Sequence, residues 1–231
     1  MKAYVIQIEG NEISQKGTDI LIASSNKVKN KFSIEKFDAI TSKMTDALMV
    51  GNGLKWKYPW QGQETDLKTG LIKTAYQTEI KENRIACALS HWLLWHKCKT
   101  LDEPILILEH DAIFIKKLDY NSILKNNYDI IGINSPAAAT RRAHQFHDIV
   151  QSKAAWIQPT PDIDEFNVPQ GLAGNSAYII KPAGASNLLN AVKEHGLWPN
   201  DAIMCKQLIP RLGVTKEYYT RVQGLPSTTV N

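Results

Sequence analysis

The chain has 231 residues, 43% of them hydrophobic and 22% charged, with a formal net charge of +4. That suits one α/β domain with a full core, and the mild positive charge permits an anionic ligand without demanding one. Cys87, Cys98 and Cys205 are odd in number and form no CxxC pair, which argues against a disulfide framework or a zinc ribbon and for a reducing compartment.

In chain order, Ala3 to Ile8 reads as a first strand, and Glu12 to about Ser25 as a helix with Ile13, Ile20, Leu21 and Ser24 on one side. Phe32 to Ile40 alternates loosely and suggests a second strand. Residues 51–76, with GNG, YPW and QGQ, lack periodicity and are expected to form a long active-site loop. Helical order returns over Thr78 to Lys99, where Ile85, Ala88, Leu89, Trp92, Leu93 and Trp95 form an apolar stripe. Pro104 to Leu108 is expected to be a central strand and Tyr128 to Ile133 another. Residues 137–170 read as a second irregular loop. Ser176 to Ile180 is again a strand, followed by a helix with Pro182 in its first turn. A final helix is expected from Asp201 to about Leu208, then a basic, aromatic strand, VTKEYYTRV.

Strands alternating with helices predict a single domain over residues 1–231, with a mainly parallel sheet flanked by helices. No run approaches a membrane span, and the apolar stretch before Glu9 is too short for the central region of a signal peptide. The expectation is a soluble or peripherally membrane-associated cytoplasmic protein.

The most informative stretch is PILILEHDAIF, Pro104 to Phe114, a core-like strand that ends in Glu109, His110 and Asp111. In open α/β sheets ligands bind beyond the carboxyl ends of the strands. Two carboxylates two residues apart at such an end suit a hard divalent cation and, through it, the phosphates of a nucleotide. The competing reading is a turn cap beside a solvated acid, which a short E-x-D alone does not exclude.

The segment NRIACALSHWLLWHKCKTLDEPILILEHDAIF, Asn83 to Phe114, resembles the core signature of glycosyltransferase family 25, the lipopolysaccharide and collagen-type sugar transferases. There a helix carrying C-x-L-S-H precedes a strand ending in E-D-D. KFDAI, YDIIGI, GNSAYIIKPAGASNLL and WPNDAIM follow the family's order, so the resemblance runs to Met204. It implies a GT-A-like, Rossmann-related fold and a nucleotide-diphosphate sugar as donor substrate. Asp111 matches the metal-binding aspartate and Glu109 the motif's first acid, implying a Mn²⁺ or Mg²⁺ cofactor. His110 departs from the usual acid, and imidazole suits manganese better than magnesium. IEGNEISQ lacks the arginine-rich turn placed after the first strand. Ser90 and His91 match the S-H pair, with a donor-site role set against that of a buried structural histidine.

Asp201 falls where the resemblance places an acceptor-facing aspartate, and inverting transfer needs a carboxylate to take the hydroxyl proton. Its structural alternative is a place in a first helical turn behind an Asn200 cap. Asp162, Asp164 and Glu165 are rival bases. Gly171, Gly174 and Asn175 suit a close approach of backbone to ligand. RRAHQFHD offers Arg141 and Arg142 as a diphosphate or phosphate clamp, and its H-x-x-H-D spacing hints at zinc without a third ligand. The expected activity is metal-assisted hexosyl or pentosyl transfer, with inversion, to a glycan or lipid-linked saccharide. Two alternatives are the same chemistry on a hydroxylated base in DNA, and a sugar-nucleotide or glycan binding module without turnover.

Overall fold

The computed structural model describes residues 1–139 and 142–226. In chain order the elements are β1 (Lys2–Gln7), α1 (Glu12–Lys27), β2 (Ile34–Asp38), α2 (Thr45–Gly51), β3 (Gln63–Thr65), β4 (Ile72–Thr74), α3 (Lys81–Leu101), β5 (Ile105–Glu109) and β6 (Ala112–Phe114). There follow α4 (Tyr120–Leu124), β7 (Ile130–Gly132), α5 (Ala143–Ser152), β8 (Ile157–Pro159), β9 (Ala177–Ile180), α6 (Pro182–His195), α7 (Asn200–Ile203), β10 (Leu212–Thr215) and β11 (Thr220–Val222).

Seven strands form one sheet in the order β2-β1-β5-β9-β7-β10-β8. β2, β1 and β5 run parallel, as do β7 and β10, whereas β9 lies antiparallel between β5 and β7, and β8 is antiparallel to β10. The sheet is therefore mainly parallel, as expected. β5 is the third strand and its neighbour β9 the middle one.

β5 reads as a continuous apolar run because both of its faces are covered. Ile105 and Ile107 join a core with Trp95, Tyr178, Leu188 and Trp198, beneath α3 and α6. Leu106 and Leu108 point the other way, to Leu21, Phe114, Ile123 and Ile133 under α1 and α4. Period-two alternation thus supplies two cores from one strand.

Three expectations change. The buried face of α1 is small and polar, with Ser14, Gly17, Thr18, Leu21, Ser24 and Ser25, while Ile13 is exposed. Small residues let α1 approach the turn after β5: a methyl group on Gly17 would lie 2.6 Å from the His110 carbonyl oxygen. The segment 51–76 carries a hairpin of β3 and β4, and 137–170 carries α5 and β8. Short strands with alternation of only three residues, and a helix start masked by paired arginines, left no periodic signal. The helix at Asn200 spans only four residues, and Pro199 rather than Asn200 precedes it as the cap position.

Candidate active site

The β5 terminus is built by four elements. Glu109 accepts from His91 of α3, Oε1 to Nε2 3.2 Å. The Ser176 hydroxyl, just before β9, lies 3.4 Å from Glu109 Oε2. Behind them, the Trp95 indole donates to the Tyr178 oxygen at 2.9 Å, and that oxygen is 2.8 Å from His91 Nδ1. An ionised Glu109 only accepts, so His91 carries its proton on Nε2 and the Tyr178 hydroxyl donates to Nδ1. Trp95, Tyr178, His91 and Glu109 form one satisfied relay that runs from the core to the half-buried Glu109. Burial works to raise the Glu109 carboxyl, but the His91 hydrogen bond and the nearby imidazoles bring it below its ordinary range.

Asp111 has the opposite environment. Burial, then the charge of Glu109, pushes its carboxyl up to about 7. Its Oδ1 is buried with no hydrogen-bond partner. A carboxylate kept from water beside a second negative charge is a ready ligand for a cation. Asp111 therefore fits a divalent ion, with Glu109 beside it. Both Glu109 oxygens are already engaged, so Asp111 is the better ligand of the two. His110 lies on the other side, buried and hydrogen-bonded to the Ile6 carbonyl, and burial holds it below its usual value against the pull of Glu109.

Two cavities flank this terminus. One, of about 380 Å³, is lined by Ile6, Ile40, Cys87, Ser90, His91, Glu109 and His110. Ser90 fixes its wall by accepting from the Ile40 amide at 2.9 Å and donating to Ala86 O at 2.8 Å. The other, of about 450 Å³, is lined by Tyr58, Tyr76, Gly171, Gly174, Asn175 and Asp201. Between them Cys87 Sγ lies 3.7 Å from Asn200 Oδ1.

Asp201 is raised by burial and by Glu109, with Arg84 opposing, and the Tyr76 hydroxyl hydrogen-bonds it. Its Oδ1 has no partner. Asn175 is 9% exposed and neither atom of its amide is paired. Gly174 precedes it at φ +79°, and a methyl there would sit 3.0 Å from Asn134 Nδ2 and Ser135 O, so the turn that presents Asn175 requires glycine. Gly171 packs against α7, where a methyl would lie 2.7 Å from Asp201 O.

The structure thus gathers Ser90, His91 and Glu109 at one cavity and Gly174, Asn175 and Asp201 at the other, with Asp111 at the strand terminus. Arg142 stands at the rim of the second cavity, bound to Asp164 at 3.0 Å and to the Ile163 carbonyl. Arg141 lies outside the described residues. Of the rival bases, Asp162 pairs with Lys206 at 2.7 Å and Asp164 with Arg142. His144, His147 and Asp148 do not converge: among the described residues, Cys87, His91 and Glu109 are the set whose ligand atoms do.

Sequence reasoning missed four contributors. Tyr178 and Ser176 belong to an apolar strand entry with no polar pattern. Tyr76 ends a segment without periodicity. Gln223 is the fourth: its amide nitrogen donates to the carbonyls of Gly17, Ala112 and His110, at 2.8, 2.8 and 3.1 Å, and its backbone N–H to Asp111 O at 2.7 Å. It ties down the acidic turn from the far end of the chain.

Residues 12–204 match the family described as glycosyltransferase family 25 (LPS biosynthesis protein). The chain belongs to glycosyltransferase family 25. No curated protein matches it in sequence. Mouse xyloside xylosyltransferase 1 in its apo form is similar in structure, with 11% identity, a TM-score of 0.44 and coverage of 91% of this chain and 83% of that one. The galactosyltransferase LgtC, in complex with donor and acceptor sugar analogues, is 8% identical with a TM-score of 0.44, over 93% of this chain and 73% of that one. The sheet of this family 25 member is mainly parallel, with β9 reversed inside it.

Proposed function

We propose that this chain transfers a sugar, with inversion, from a nucleotide-diphosphate donor to a hydroxyl of a glycan or lipid-linked saccharide. The observation that carries the proposal is the pair of cavities that hold Glu109 and Asp201, linked by the Cys87–Asn200 contact, with the buried, unpartnered Oδ1 of Asp111 just past β5. The nucleoside enters the cavity bounded by Ile6, Ile40 and Ser90. Asp111, supported by Glu109, would hold Mn²⁺ or Mg²⁺, which when bound neutralises charge on the departing diphosphate.

The acceptor lies over Tyr58 and Tyr76 in the second cavity, where Asn175 offers a donor and an acceptor to sugar hydroxyls. Asp201 takes the proton of the attacking hydroxyl. The acceptor hydroxyl oxygen forms the new bond to the anomeric carbon as the bond from that carbon to the diphosphate breaks. Burial raises the proton affinity of Asp201, which makes it a better base near neutral pH than an exposed aspartate. Ile72 and Thr74 of β4 wall the acceptor cavity.

The test is a panel of nucleotide-diphosphate sugars with short glycan acceptors, with Mn²⁺, Mg²⁺ or a chelator, following diphosphate release and the anomeric configuration of the product. Cation-dependent release, with an inverted product, is expected for the wild type and not for Asp111→Asn. Donor binding without release would instead make the chain a binding module, and a retained configuration would remove Asp201 from the role of base.

A further inference from the structure

We infer that Cys87, His91 and Glu109 form a second metal site, selective for a borderline-soft divalent ion such as Zn²⁺ and distinct from the Asp111 position. Cys87 and His91 are four residues apart on α3, so they share one helix face, and Glu109 reaches them from the end of β5. Their ligand atoms all lie within 4.8 Å of one another. The His91 Nε2 to Glu109 Oε1 distance is 3.2 Å, against ~3.3 Å for the nitrogen–oxygen edge of a tetrahedron with zinc bonds near 2.0 Å. The Cys87 Sγ lies within 4.8 Å of both other ligand atoms, against the ~3.5 Å expected of a sulfur at the third corner, so at most about 1.3 Å of either distance has to close.

The surroundings fit such an ion. All three residues line the 380 Å³ cavity, which leaves room for a fourth ligand from solvent or substrate. Binding releases the Cys87 thiol proton to solvent. It also shifts the His91 proton from Nε2 to Nδ1, where it donates to the Tyr178 oxygen and fixes the metal-bearing tautomer, at the cost of the acceptor that the Tyr178 hydroxyl proton now uses. Cys98 and Cys205 are fully buried and belong to no such group among the described residues. Thiolate and imidazole favour zinc over the oxygen-seeking ions expected at Asp111. On the transferase reading above, zinc held here withdraws Glu109 from the donor site and closes the nucleoside cavity, so it inhibits.

Cobalt(II) serves as the probe, because a thiolate ligand gives it a near-ultraviolet charge-transfer band that oxygen ligands do not. The apo protein is titrated with Co²⁺ and then with Zn²⁺, without donor or acceptor, so the result does not depend on the transfer reaction. A one-to-one band that Zn²⁺ abolishes is expected in the wild type and in Asp111→Asn, and its loss in Cys87→Ser and Cys87→Ala, both checked for folding by circular dichroism. No band in the wild type, or a band that survives in the Cys87 variants, overturns the site. Loss of the band in Asp111→Asn overturns its separateness from the Asp111 position.

Discussion

Replacing Asp111 by asparagine should make the protein more stable at neutral pH, although it removes a residue proposed for catalysis. The carboxyl moves from an ordinary 3.8 to about 7 in the folded chain, through burial and then the charge of Glu109. At ~1.4 kcal/mol per tenfold change in proton affinity, keeping it ionised costs the fold up to ~4 kcal/mol. Asparagine removes the charge but leaves a polar atom to be satisfied, which returns ~1–3 kcal/mol. A net gain of about 2 kcal/mol at pH 8, or about 4–8 °C in Tm for a chain of this size, follows. Because the folded group holds its proton more tightly than the unfolded one, the penalty is absent below pH ~4, where both forms are protonated. It grows between about 4 and 7 and is constant above. Urea unfolding followed by tryptophan fluorescence, at pH 8 and pH 4, measures the difference. Mn²⁺ should narrow it by stabilising the wild type alone. A variant no more stable at pH 8, or equally stabilised at pH 4, would refute the account of Asp111 as an ionised group held against its surroundings.

Asp201→Asn should lower kcat by at least ~10²-fold with little change in donor affinity, as loss of a general base predicts; a parallel loss of donor binding, seen by calorimetry, would count against that role. Gly17→Ala should destabilise by ~1–3 kcal/mol despite the better helix propensity of alanine, since the added methyl meets the His110 carbonyl at 2.6 Å and Leu225 at 2.8 Å. A stabilised variant in thermal melts would show that α1 has room to move. Ser90→Ala strands the buried Ile40 amide and should cost ~1–3 kcal/mol in chemical denaturation; a neutral outcome would mean that this wall reorganises.

What the sequence disclosed was what periodicity and short-range chemistry encode. α3 and β5 were legible because their apolar runs are long, and Glu109 and Asp111 because charge at the end of such a run is conspicuous. The reversal of β9 was not, since a buried strand is apolar in either direction. The hairpin over 63–74 is only three residues wide on each side. Lys73 gave no warning that it is 1% exposed, held by Lys57 O at 2.6 Å and by Glu64 and Asp66 at 3.3 and 3.2 Å. His91 was legible as a candidate but not as the middle of a relay, because Tyr178 lies 87 positions away. Asp201 was placed by resemblance, while its short helix and its Tyr76 partner came from packing.

The Gln223 clamp has a consequence for the order of folding. Its bond to the Gly17 carbonyl joins positions 206 apart, and Gln223 lies beyond the stretch that matches the family. Closing so long a loop is entropically slow, and its reward arrives only after β1, β5 and α1 are assembled around it. The sheet can therefore form while the acidic turn is still loose. In refolding, burial of the tryptophans should run ahead of exchange protection of the Gln223 amide, which reports when the acidic turn is finally held.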